Sequence, residues 1–183
     1  MKKLSKNFLK TSNSYNSFNF LNSISKKLIS KVCKSSEEAV KDIKSNSRLL
    51  LGGFGICGIP SNLINALSKR SDVKNLEIIS NNGGLADQGN GILISNNQVK
   101  RITGSYIGEN KVLEKKYFSG EIEINLIPQG TLAEKIRCGG AGIPAFYTPT
   151  GYGTMIQEGG FTIKYDSNGK GVIFSEPKPT ASF

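Results

Sequence analysis

Leu49-Leu50-Leu51-Gly52-Gly53-Phe54-Gly55-Ile56-Cys57-Gly58-Ile59-Pro60 is the stretch whose reading decides the fold. A short apolar run enters a turn rich in glycine, at Gly52, Gly53, Gly55 and Gly58. Pro60 then opens a segment with apolar residues at Leu63, Ile64 and Leu67. The pattern predicts a buried strand, a tight turn and a helix with proline near its first position. Glycines admit positive φ and let a ligand approach bare N–H groups. The helix start behind them adds unpaired donors and a positive dipole end, which suits an anionic or strongly polar ligand.

Gly53-Phe54-Gly55-Ile56-Cys57-Gly58 also spells the dinucleotide pattern G-x-G-x-x-G. That pattern expects an acidic residue about 20 positions on, at a strand end, to hold a ribose hydroxyl. Glu77 has nearly the right count but falls inside the predicted strand Leu76-Glu77-Ile78-Ile79. The strand ends in Ser80-Asn81-Asn82-Gly83-Gly84, with amides where the carboxylate should be. The bland alternative is a glycine turn that serves only close helix–strand packing.

Working outward, Ser35 and Glu38 have capping-box spacing ahead of Ala39, Val40 and Ile43. Arg101-Ile102-Thr103-Gly104-Ser105 reads as another strand end. Gly108-Glu109-Asn110 leads into a helix carrying Val112, Leu113 and Tyr117. Glu121 to Leu126 alternates polar residues with Ile122, Ile124 and Leu126, as a half-buried strand does. Pro128-Gln129-Gly130 is expected to turn the chain. Thr131 and Glu134 form a second capping-box spacing, opening a short helix that Gly139-Gly140 would stop. Strands alternating with short helices predict an α/β domain with a mainly parallel sheet and flanking helices, whose ligands gather at strand carboxyl ends.

Beyond residue 139 the chain turns glycine- and proline-rich but stays aromatic, with Phe146, Tyr147 and Tyr152. A loop packed over a neighbouring surface is expected. Phe161–Tyr165 and Val172–Phe174 flank Asp166-Ser167-Asn168-Gly169-Lys170-Gly171, a β-hairpin with a longer turn. No closing helix follows, so the domain reads as incomplete.

The formal charge of +10 on 183 residues suggests a polyanionic partner until it is mapped. Residues 1–36 hold eight lysines and no acid, leaving 16 basic and 14 acidic side chains in the rest. The body is nearly balanced, so nucleic-acid binding loses its main support. Residues 1–35 are rich in Ser and Asn, with Leu21, Ile24 and Leu28 on one helical face and Lys26, Lys27 and Lys31 nearby. No apolar run approaches the roughly 18 residues of a membrane span. A basic, acid-free, amphipathic leader is the pattern of a mitochondrial transit peptide, although here every basic residue is Lys. A disordered polar tail is the alternative. Three cysteines, at 33, 57 and 138, have no metal-type spacing and suggest buried thiols in a reducing compartment. The absence of histidine removes Ser–His–Asp and Cys–His catalysis and leaves no zinc site to propose.

Four blocks carry a resemblance: Gly52 to Pro60, Ser80-Asn81-Asn82, Ser105-Tyr106-Ile107-Gly108-Glu109-Asn110, and Pro128 through Thr154. Together they resemble the family I coenzyme A transferases, on the mitochondrial 3-ketoacid side, over roughly residues 36–176. The last block is long and unusual, which makes the match far more specific than the glycine motif. The resemblance implies that 36–183 is the amino-terminal part of a CoA-transferase-like domain. It also implies ping-pong exchange of coenzyme A between succinyl-CoA and a 3-keto acid such as acetoacetate, through a glutamyl-CoA intermediate. Coenzyme A is then a substrate, and no other cofactor or metal is implied.

The nucleophilic glutamate of that family lies in a Ser-Glu-Asn-Gly motif in a second half or in a separate partner polypeptide, and this sequence contains no such tetrapeptide. Glu109 in Gly-Glu-Asn is the tempting substitute, but an acid at a helix start has an ordinary electrostatic reason to be there. The resemblance places Asn81, Asn82 and Gln129 against the acyl or carboxylate part of the substrate. It further implies the mitochondrial matrix, a homo-oligomer when complete, and a missing second half or partner subunit. A rival from a different class is a catalytically silent acyl-CoA or nucleotide-binding module.

Overall fold

The computed structural model describes residues 32–181, and the expectations for the leader before residue 32 lie outside them. The compact unit begins at Ser35. Helix α1 (Ser36–Val40) is capped as expected, with Ser35 Oγ accepting from the Glu38 N–H at 3.2 Å. There follow β1 (Arg48–Leu50), α2 (Ser61–Ser68), β2 (Leu76–Ile79), α3 (Asn90–Ser95) and β3 (Val99–Gly104). Next come α4 (Lys111–Phe118), β4 (Glu123–Leu126), α5 (Gln129–Ala141), α6 (Met155–Glu158), β5 (Thr162–Tyr165) and β6 (Gly171–Phe174).

Strands β1 to β4 form one parallel sheet in sequence order, and β5 with β6 form a separate antiparallel hairpin. Leu49, Ile78, Ile102 and Ile124 stand in register across the four strands. Successive crossovers of one hand in a sequentially ordered sheet put their helices on one face. The contacts α1 to α2, α2 to α3 and α3 to α4 are those of such a layer. Ile78, Ile102 and Ile124 are fully buried in the resulting core with Ile64, Leu67, Leu93 and Leu113.

The opposite row of the sheet is Arg48, Glu77, Arg101 and Glu123, a ladder of alternating charge. Arg48 Nε meets Glu77 at 2.8 Å, Arg101 Nε meets Glu123 at 2.6 Å, and Lys164 of the hairpin reaches Glu123 at 3.5 Å. The hairpin is fastened by Tyr165, whose ring lies edge-on to Tyr117 at 5.0 Å, and by the Tyr117 hydroxyl donating to the Thr162 carbonyl. Burial, with help from Tyr165, pushes the Tyr117 hydroxyl up to about 12.

Several expectations need correction. Strand β1 is an edge strand, so Leu50 is 56% exposed rather than buried. Pro60, by contrast, stands near the helix start as expected, at the N-cap immediately before Ser61. Helix α5 starts at Gln129 behind Pro128, so Pro128-Gln129-Gly130 is a helix start and Thr131 lies inside the first turn, not at a cap. Gly139 and Gly140 remain helical, and left-handed Gly142 ends the helix. The sequence pattern marks no element over α3, whose N-cap is Gly89 with no side-chain capping bond. The aromatic loop is not tightly packed: Tyr147 and Tyr152 are 61% and 72% exposed.

Candidate functional site

The carboxyl ends of β2, β3 and β4 converge, and the side chains there form a hydrogen-bonded cluster. Asn81 follows β2, Ser105 follows β3, and Gln129 opens α5 shortly after β4. Asn81 Nδ2 donates to Gln129 Oε1 at 2.9 Å, and Ser105 Oγ donates to the same oxygen at 2.8 Å. Asn82 Nδ2 donates to Asn81 Oδ1 at 3.4 Å and toward the Gly55 carbonyl at 3.5 Å. Asn81, Asn82 and Gln129, expected together against the acyl group, are therefore linked by hydrogen bonds. Ser105 joins them; the sequence puts it at a strand end and in a block of the resemblance but assigns it no site role.

The strand ends are drawn together by backbone. The Ser105 N–H donates to the Asn81 carbonyl at 2.8 Å and the Gly83 N–H to the Tyr106 carbonyl at 3.1 Å, extending the parallel pairing past the strands. Gly104 makes this approach feasible, because a Cβ there would sit 2.9 Å from the Ser80 carbonyl oxygen. Two buried amides clamp the loop after β2: Asn90 Nδ2 donates to the Asn82 carbonyl and Asn110 Nδ2 to the Gly83 carbonyl, each at 3.0 Å.

The glycine loop stands beside this cluster. Phe54 and Cys57 exchange backbone bonds of 2.9 and 3.0 Å, with Gly55 and Ile56 at the tip. Gly55 has φ of +59°, which a side chain rarely adopts, yet a Cβ there would meet nothing within 4 Å. Likewise, the nearest atom to a Cβ at Gly52 would be 3.9 Å away. At Gly53 a Cβ would come within 3.1 Å of the Ile59 side chain, so close approach within the loop, not helix–strand packing at Gly52 or Gly55, uses the missing side chain. Phe54 and Ile56 are exposed, and so is Cys57, against the expectation of a buried thiol. Cys138 is buried.

Electrostatics separate the candidates. The Arg48 hydrogen bond first, then the charges of Arg48, Lys100 and Arg101, hold the Glu77 carboxyl below its ordinary range. Engaged in that ladder, Glu77 is not free to take a ribose hydroxyl. Glu109 is exposed immediately before the N-cap Asn110 and takes no part in the hydrogen bonds that join Asn81 to Gln129. The N-terminus of the 13-residue α5 has no side-chain cap, so its first N–H groups and dipole end lie open beside Gln129. A cavity of about 910 Å³ is lined by Pro128, Thr131, Ile143, Phe146 and Phe161, not by the amide cluster. Among the described residues no cluster of potential metal ligands occurs, and no helix is long and apolar enough to cross a membrane.

Comparison with known proteins gives a consistent result. Residues 33–182 match a family model described as Coenzyme A transferase. The mouse protein "Succinyl-CoA:3-ketoacid coenzyme A transferase 2A, mitochondrial" is 54% identical over 146 residues, which cover 80% of this chain and 28% of that protein. A Mycobacterium bovis protein, named as one subunit of a probable succinyl-CoA:3-ketoacid coenzyme A transferase, is 48% identical over 153 residues, covering 84% of this chain and 61% of the relative. Among solved structures, an acyl-CoA transferase apoenzyme from Escherichia coli O157:H7 superposes with a TM-score of 0.60 at 26% identity, covering 76% of this chain and 27% of that one. The chain thus spans under a third of the mouse relative's length and about three fifths of the mycobacterial one's.

Proposed function

Since this chain belongs to the coenzyme A transferase family over residues 33–182, we propose that residues 36–183 supply the acyl-binding side of a 3-ketoacid CoA transferase. The observation that carries the reading is the convergence of Asn81, Ser105 and Gln129 at adjacent strand ends. Amide side chains hydrogen-bond a carboxylate or thioester oxygen without adding charge. The uncapped start of α5 favours the negative charge that develops there. Similarity to proteins named succinyl-CoA:3-ketoacid transferases supports succinyl-CoA as donor and a 3-keto acid such as acetoacetate as acceptor.

In this reading a glutamate outside these 183 residues attacks the succinyl thioester carbonyl, forming a mixed anhydride and releasing CoA thiolate. The thiolate attacks the glutamyl carbonyl, freeing succinate and leaving a glutamyl-CoA thioester. The 3-keto acid carboxylate then repeats the two steps in reverse, so acetoacetyl-CoA leaves and the glutamate is regenerated. Each step exchanges one acyl bond for another, and the thioester energy survives if water is kept out. The present residues bind and orient the acyl group. The glutamate comes from a second half of a longer chain, supported by mitochondrial relatives of which this chain covers 28%, or from a partner polypeptide, supported by bacterial relatives each named as one subunit of a transferase. Residues 1–35 act as a mitochondrial leader for the matrix, which similarity to mitochondrial relatives supports.

The test is to incubate the purified chain with succinyl-CoA and acetoacetate, with and without the complementary polypeptide, and follow acetoacetyl-CoA. Turnover only in the presence of the complement is expected. Sustained turnover by the chain alone would contradict the assignment of the nucleophile, and its loss in Glu109→Ala would show Glu109 to be that group. No turnover even in a correctly assembled pair would leave the silent acyl-CoA-binding module standing.

A further inference from the structure

Gln129 presents an amide whose two ends do opposite things, and the surrounding bonds decide which end is offered to a ligand. The sequence of constraints starts at a backbone donor that cannot be reversed. The Gly84 N–H donates to Asn82 Oδ1 at 2.9 Å, so Asn82 turns its Nδ2 toward Asn81 Oδ1 and the Gly55 carbonyl. Asn81 in turn directs its Nδ2 to Gln129 Oε1. A carbonyl oxygen has two lone-pair positions. The first is occupied by Asn81 and the second by the Ser105 hydroxyl, at 2.8 Å. The two N–H bonds of Gln129 Nε2 are left without a partner among the described residues.

We propose that Ser105 is a positioning residue: by occupying the second lone pair of Gln129 Oε1, it holds the amide so that its N–H donors face an incoming carboxyl oxygen. The inference rests on the reading of this cluster as the acyl-binding side of a transferase. Ser105 is itself firmly placed: its N–H donates to the Asn81 carbonyl, and the preceding Gly104 carbonyl accepts from the Ile127 N–H at 2.9 Å. Gln129 is exposed at the first position of its helix and has several rotatable side-chain bonds. With one donor removed, its amide is free to swing about the remaining bond to Asn81.

The experiment uses the enzyme assembled from this chain and its complementary polypeptide. Steady-state constants for acetoacetate and succinyl-CoA are measured for Ser105→Ala, Ser105→Thr, Gln129→Ala and the Ser105→Ala/Gln129→Ala double variant. Ser105→Ala is expected to lower kcat/KM about three- to tenfold, the worth of one neutral hydrogen bond. Ser105→Thr, which keeps the hydroxyl, is expected to restore it. In the Gln129→Ala background the Ser105→Ala change should shrink to less than about twofold, because the two act as one unit. Should Ser105→Ala fold poorly, Ser105→Cys, a much weaker donor, gives the same comparison. An undiminished loss in the Gln129→Ala background would overturn the inference, as would a silent Ser105→Ala beside an impaired Gln129→Ala. A Gln129→Ala enzyme with unchanged kinetics would also overturn the inference, and equally silent Asn81→Ala and Asn82→Ala would overturn the acyl-site reading with it.

Discussion

The Asn110 side chain donates to the Gly83 carbonyl at 3.0 Å, tying the start of α4 to the loop that carries Asn81 and Asn82. The same side chain caps the helix, accepting from the Leu113 N–H at 3.0 Å, and it is fully buried. One residue thus serves the fold and holds the site loop in place.

Replacing Asn110 by Ala removes both bonds at once. An N-cap is worth about 0.5–2 kcal/mol, and an orphaned buried carbonyl costs about 1–3 kcal/mol. A loss of about 2–4 kcal/mol is expected for Asn110→Ala in denaturant unfolding. A change below about 0.5 kcal/mol would deny the clamp.

Ile78 provides a purely apolar comparison. It lies fully buried at the middle of the sheet, in register with Leu49 and Ile102. Ile78→Ala should cost about 2–5 kcal/mol of stability through lost transfer energy and the cavity left behind. The unfolding midpoint reads this directly, and a shift within about 0.5 kcal/mol would remove Ile78 from the core.

The charge ladder makes stability depend on pH. Because Arg48 and its neighbours lower the folded-state Glu77 carboxyl from its usual value of 4.5, the ionised form is preferred in the native protein. That contribution is fully present above the unfolded-state value and is lost as pH falls through the lower folded one. Glu77→Gln should therefore be less stable than the parent at pH 7, with the gap closing below about pH 4. A gap that stays constant from neutral to acid pH would show that the ion pair is not its source.

Targeting is checked separately. Residues 1–31, approximately, are expected to direct mitochondrial import and to be removed. A reporter carrying them should be found shortened inside mitochondria. A cytosolic, uncleaved reporter would contradict this.

What the sequence revealed follows the range of the interactions involved. The alternation ending at Leu126 and the hairpin around Asp166 are local patterns, and both are found as strands where expected. Capping at Ser35 lies within three residues of its helix and is legible, while the cap at Asn110, equally local, goes unread. Thr131 and Glu134 imitate such a signal, but Pro128 starts the helix earlier, with its fixed φ at −53°. Helix α3 has neither a polar cap nor a clean periodic face. The meeting of Asn81 with Gln129 spans 48 residues, and the bond from Ser105 to Gln129 depends on sheet register, so neither leaves a local trace. Exposure of Leu50 likewise depends on which strand forms the edge, a tertiary property.

The kinetics of Gln129→Ala in the assembled enzyme test the central claim most directly, with Asn81→Ala and Asn82→Ala alongside. A hydrogen bond to a charged group is worth about 1.5–3 kcal/mol, so kcat/KM should fall roughly ten- to a hundredfold. The fold should survive, because Gln129 is exposed and contributes nothing to the apolar core. Unchanged kinetics in all three variants would contradict the account and leave these residues as ornaments of the strand ends.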